Sequence, residues 1–157
     1  RVGLARVKKV PPKLQLGAVQ PVANEKTLEA LIANRYEVMA GYARGVRQAC
    51  RDEMAALKAH NAHNADHSVL QAARRWLHRD DDKVPATVRP QLAQARADHP
   101  VLDKMITMRE ELRQLWLNTS HSREQLAADL AAWCHRAEES GIAALREFSL
   151  RLRSAHV

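Results

Sequence analysis

"LEALIANRYEVMAGYARGVRQACRDEMAAL", residues 28–57, decides the fold class. Leu28, Leu31, Ile32, Met39, Tyr42, Val46, Cys50, Met54 and Leu57 recur at steps of three and four for most of its length. That spacing gathers them on one side of a helix with 3.6 residues per turn. It predicts a long first helix, capped by the side-chain oxygen of Asn24 or Thr27. About thirty residues would make roughly 45 Å of helix. Gly41 and Gly45 interrupt the pattern as "GYARG", formally the G-x-x-x-G spacing of membrane helices. Arg44 and Arg47 beside them exclude burial in lipid, so the pair predicts a kink or the close approach of another helix.

Working outward, a second helix is expected from Asp66 or Ser68 through "VLQAARRWLHR", broken by "DDDK" at 80–83 and by Pro85. A short helix follows at about 86–97. Asp98 is the expected cap of the next, with Pro100 tolerated in its first turn. Its stripe is Val101, Leu102, Met105, Met108, Leu112, Leu115 and Trp116. Ser122 with Gln125 three residues on forms a capping box. The helix it opens carries Leu126, Leu130, Trp133, Cys134 and Ala137, and Gly141 ends it. A last helix holds Ile142, Leu145, Phe148 and Leu152. No stretch alternates at period two, so the chain is expected to be all-α, a helical bundle with one long first helix. Pro11, Pro12 and Pro21 forbid regular helix upstream. Residues 1–23 are therefore read as a basic extended arm and residues 24–157 as the helical domain.

The 157 residues fit one domain with a modest core. No apolar run approaches a membrane span. Cys50 and Cys134 form no C-x-x-C and read as ordinary thiols. The net charge is +7. Arg1, Arg6, Lys8, Lys9 and Lys13, with no acid among them, place most of it in the arm and leave the body close to balance. A nucleic-acid-binding domain concentrates its excess charge on the folded face that meets phosphate. On this reading, nucleic acid is not an expected partner.

Candidate chemistry is sparse. In "HNAHNADH", His60, His63 and His67 stand at i, i+3 and i+7, and with Asp66 could hold a borderline metal. Asn61 and Asn64 weaken helix there, and the expected reading is solvated histidines at a frayed helix end, with no metal. Asp80–Asp82 are read as a solvated turn. Cys134 and His135 are neighbours and point about 100° apart on a helix, too far to pair as nucleophile and base. No G-x-S-x-G elbow or glycine-rich phosphate loop occurs. Trp76, Trp116 and Trp133 each fall in an apolar stripe and are expected in the core. No catalytic, cofactor-binding or metal residue is assigned.

"GLARVKKVPPK" at 3–13 and "LAAWCHRAEESGIAALREFSLRLRS" at 130–154 resemble segments of bacterial membrane fatty-acid desaturases of the acyl-CoA/acyl-lipid type. "RYEVMAGYARGV" at 35–46 and "MREELRQLW" at 108–116 resemble the region between. The resemblance implies a C-terminal, membrane-associated helical domain of an oxygen-dependent oxidoreductase of lipid metabolism, on the cytoplasmic face of the inner membrane. The parent's di-iron centre and membrane helices would lie before Arg1, and none of its iron ligands maps onto this chain. Arg6, Lys8, Lys9 and Lys13 would then contact anionic lipid headgroups. The implied partners are the parent's membrane portion, an anionic lipid surface, a second copy or an electron-donor protein. "AEESGIAALREFSLRLR" at 137–153 also resembles an insertion-sequence DDE transposase family. On that alternative the chain is a helical DNA-binding fragment, with Arg146, Arg151 and Arg153 touching phosphate. The family's acidic triad cannot be placed here, and its last glutamate is expected beyond Val157.

Overall fold

The computed structural model describes residues 25–59, 64–118 and 120–154. Among these residues there are seven α-helices and no strand, as the periodicity predicts. They are α1 Glu25–Ala33, α2 Arg35–Ala59, α3 Asn64–Trp76, α4 Arg89–Asp98, α5 Pro100–Leu117, α6 Arg123–Glu138 and α7 Ala143–Arg153. Two 3₁₀ turns, Asp81–Lys83 and Ala86–Val88, lie between α3 and α4. The described helices are too short or too polar to cross a membrane. The basic arm lies outside the described residues.

The expected single first helix is two helices. The break is at Asn34, not at the glycines, and α2 passes through Gly41 and Gly45 without interruption. The physical reason is competition for backbone carbonyls. Asn34 Nδ2 donates to the Ala30 carbonyl at 2.9 Å, and Arg35 Nη1 donates to the Ile32 carbonyl at 3.0 Å. These side chains satisfy the last acceptors of α1, as helix ends require. At Gly45 an added Cβ would sit 3.8 Å from Met105 Cε, an ordinary contact. The close approach expected there leaves room for a methyl group.

The described residues divide into two compact units: 25–35 with those from Gln114 onward, and those between Tyr36 and Arg113. In the first, α6 and α7 pack on each other, and Trp133 of α6 is fully buried. Trp133 meets Phe148 edge-on, with ring centroids 5.9 Å apart; such pairs add about 1 kcal/mol beyond area burial. Leu130, Leu145 and Leu152 are buried as well. Ser149, also fully buried, lies 2.6 Å from Glu138 Oε2 and 3.2 Å from the Cys134 carbonyl. Arg123 and Glu29 pair between α6 and α1. The Ser122 side chain accepts from the Gln125 backbone N–H at 3.1 Å, half of the expected capping box. The other half is missing because the Gln125 side chain turns to Asp129. Gly141 follows α6 at φ +79°, the left-handed conformation that ends helices.

In the second unit, Val38, Tyr42, Val46 and Cys50 form the buried face of α2, and Leu102, Met105, Met108 and Leu112 that of α5. The Tyr42 hydroxyl donates to the Met105 carbonyl at 2.5 Å, joining the two helices. Asp98 does not cap α5. It ends α4, where it accepts from Gln94, and His99 supplies the carbonyl that receives the Asp103 N–H. His99 Nδ1 lies 2.8 Å from Glu53 Oε1, fastening this junction to α2. Leu70, Ala73 and Leu77 bury one side of α3 and its exit turn, and α3 packs on α4.

A basic cleft along helix α3 as candidate functional site

With Leu70, Ala73 and Leu77 turned inward, helical geometry sends residues 71, 74, 75 and 78 to the other side. That side forms one wall of a cleft of about 670 Å³ lined by Arg47 from α2, Arg74 and Arg75 from α3, and Arg79 just beyond it. Ser68, Gln71, His78 and, from α4, Gln91 supply further polar groups. Among the described residues, no carboxylate lines the cleft, and no carboxylate forms an ion pair with these four arginines. Four guanidiniums held this close repel one another, an arrangement that an anion with several acceptor oxygens relieves.

Two of these arginines flank Trp76 in sequence and reach its ring. The Arg75 and Arg79 guanidinium carbons lie 5.3 and 5.5 Å from its ring centroid, within cation–π range. The Arg79 Nε also donates to the Arg75 carbonyl at 3.3 Å. The half-buried indole thereby steadies two long cations that would otherwise lose rotamer freedom on binding. Of the three tryptophans expected in the core, Trp133 is fully buried. Trp76 and Trp116 are half-buried.

His78 is held neutral. Burial lowers its pKa to about 4, with Arg47, Arg79 and Arg109 pushing the same way. The Arg74 carbonyl, one turn earlier, acts weakly in the opposite direction. Nδ1 is covered and makes no hydrogen bond of ordinary geometry.

Asp80 is not the solvated acid expected at the head of the aspartate run. Its Oδ1 accepts from Arg109 Nη2 at 2.9 Å and lies 3.2 Å from Arg113 Nε. The hydrogen bond from Arg109, aided by the charges of Arg109, Arg113 and Lys83, holds its carboxyl below the usual range. The acid nearest the cleft in sequence is thus committed elsewhere.

His60 and His63 lie outside the described residues, while His67 is exposed on α3. Arg6, Lys8, Lys9 and Lys13 also lie outside them. Of the arginines expected to meet phosphate, Arg146 and Arg151 are exposed on α7. Arg153 is not available in that way: its Nε donates to Glu138 Oε2 at 2.6 Å inside the α6–α7 contact. Burial raises the Glu138 carboxyl, but hydrogen bonds from Arg153 and Ser149 outweigh that and hold it below the usual range. Among the described residues, no three His, Cys, Asp or Glu side chains converge as a metal site would require, so the acidic triad of a DDE nuclease has no counterpart there.

Sequence reasoning missed the α3 cleft. The available signal was "QAARRWLHR" at 71–79, in which Gln71, Arg74, Arg75 and His78 recur at helical spacing opposite Leu70, Ala73 and Leu77. Averaging charge over the body hid it, because acids elsewhere in the chain cancel these arginines in the sum although, among the described residues, none of them lines the cleft.

The same averaging argued against nucleic acid, and the comparison with known families overturns that exclusion. No curated protein and no solved structure matches the chain. A family model described as "Transposase", of the DDE ISL3 type, matches residues 21–156. This corrects the reading of the chain as a desaturase domain, with its oxidoreductase and lipid-metabolism assignments and its lipid, membrane-enzyme and electron-donor partners. The longest shared stretch, 130–154, sits in α6 and α7, where alanine, leucine and arginine at helical spacing serve helix packing. Such words carry little information about chemistry. The alternative resemblance was the right one, and the chain belongs to the ISL3 family of transposases.

Proposed function

We propose that this chain is a helical DNA-binding segment of a transposase and that it holds the sugar–phosphate backbone in the α3 cleft. One observation carries the reading: Arg47, Arg74, Arg75 and Arg79 line a single cleft, and among the described residues no carboxylate lines it with them. Membership of a transposase family supplies the polyanion. Guanidinium forks match phosphate oxygens in pairs, and Gln71 and Gln91 add amide donors. The Trp76 ring is already stacked by guanidinium groups, so base stacking there would have to displace one of them. Contacts of this kind position a protein on DNA without reading its sequence.

The test is fluorescence anisotropy of the full chain with a labelled duplex at low salt. Wild type is expected to bind, and Arg74→Gln/Arg75→Gln/Arg79→Gln to bind at least tenfold more weakly. Replacing Arg146 and Arg151 by Gln is expected to change affinity little. A parallel variant with Arg6, Lys8, Lys9 and Lys13 changed to Gln separates the arm's contribution. An absence of binding at low salt, or full binding by the α3 triple variant, overturns the proposal.

A further inference from the structure

We propose that the α3 cleft is a phosphate site in which His78 is a proton-coupled contact, so that occupancy draws a proton onto the imidazole. This deepens the DNA-binding reading and rests on it for the source of the phosphate. Three observations converge. His78 lines the cleft itself, between cations on both sides in sequence, Arg74 and Arg75 before it and Arg79 after it. Its Nδ1 is covered yet makes no hydrogen bond of ordinary geometry, an omission that buried polar groups seldom show without a functional or strain-related reason. The charged groups that act on it are all positive: Arg47 from α2, Arg79 beyond α3, and Arg109 from α5, opposed only weakly by the Arg74 carbonyl. Asp80, two residues on, is turned to Arg109 and Arg113 and does not offset them.

In the empty cleft a protonated imidazole would add a fifth cation to four. The ring therefore stays neutral at neutral pH. A phosphate oxygen entering the cleft reverses the balance. It brings negative charge close to the ring, favours the imidazolium, and accepts a charge-assisted hydrogen bond. The sign follows from linkage. Because the bound state holds the proton more tightly than the empty state, binding takes up a proton and affinity rises as pH falls. The four arginines stay charged throughout, so they supply affinity with no pH dependence of their own. His67 is exposed on the same helix, and its contribution is separated by comparing variants at position 78.

The experiment uses the full chain at constant ionic strength from pH 7.5 to 5.5, with two ligands. With a labelled duplex, wild-type affinity is expected to rise roughly fivefold over that range. His78→Gln is expected to bind normally at pH 7.5 and to lose most of the rise. With inorganic phosphate alone at pH 6, the His78 ring protons in the NMR spectrum are expected to move toward imidazolium positions as the ligand is added. The second measurement needs no variant, so a folding defect in His78→Gln leaves the proposal testable. If His78→Gln keeps the full pH dependence, or phosphate saturates the cleft while His78 stays neutral, the proposal is wrong. If wild type binds no duplex but phosphate moves His78, the DNA reading fails and the phosphate site stands. If neither ligand acts, both fail.

Discussion

Arg109 Nη2 lies 2.9 Å from Asp80 Oδ1, and this pair joins α5 to the segment leaving α3. Its consequence is local charge separation. Asp80 directly follows Arg79, the natural partner for its carboxylate, yet it spends its acceptor on a buried guanidinium instead. Asp80→Asn leaves Arg109, only 10% exposed at its side chain, with only the more distant Glu110 carboxylate at 4.0 Å. Because Asp80 is itself one-third exposed, the loss is expected below the range for fully buried pairs, at about 1–3 kcal/mol. Urea unfolding followed by circular dichroism measures it, and an unchanged midpoint would show that the pair contributes nothing.

Acid should destabilise the chain through Asp80 and Glu138. Both carboxyls are held below their usual range in the folded state. Such groups stabilise fully above the unfolded pKa, about 4, and the contribution is lost as pH falls through the lower folded values. Thermal midpoints are expected to hold steady from neutral pH down to about 5 and then to decline. Glu138→Gln should show a lower plateau and a shallower decline.

Salt should weaken DNA binding in proportion to the phosphates neutralised. Each guanidinium on a phosphate contributes about 0.9 to the slope of log K against log salt. Changing Arg74, Arg75 and Arg79 to Gln together is expected to flatten the slope by nearly 3, if each meets its own phosphate. A slope unchanged from wild type would mean that these residues do not meet the backbone.

Gly141→Ala isolates a backbone effect. Gly141 has φ +79°, and an added Cβ meets nothing within 4 Å. The cost is therefore conformational alone, about 1 kcal/mol. A much larger loss in denaturant unfolding would point to a side-chain clash that the surroundings of Gly141 do not contain.

Cys50 and Cys134 are both buried thiols, and burial is the main cause that pushes each pKa up to about 11. Reactivity follows the thiolate. Labelling by a thiol-specific disulfide reagent at neutral pH is expected to be slow in the native protein and rapid for both in denaturant. Fast native labelling of either would contradict its burial.

Stretches that depend only on their own helical period were legible before the fold was known. Leu28 and Leu31 announce α1, and Leu130, Trp133 and Ala137 announce α6, because a repeat of three and four admits one buried face. Ser122 and Gly141 announced the ends of α6, since capping chemistry acts within one turn. The break at Asn34 was not legible. Both sides of it continue the same apolar period, and only side chains returning to the Ala30 and Ile32 carbonyls reveal it.

The candidate site divides in the same way. The chain order alone places Gln71, Arg74, Arg75 and His78 on one face of α3, opposite Leu70 and Ala73. It says nothing of Arg47 and Gln91, which reach that face from other helices, nor of Asp80, drawn off by Arg109 and Arg113. Helical periodicity is a property of neighbours along the chain, whereas the field in a cleft is a sum over groups near in space. The helices could therefore be read from the residues alone, while the concentration of positive charge beside α3 came into view only once tertiary packing had brought Arg47 to it and drawn Asp80 to Arg109 and Arg113.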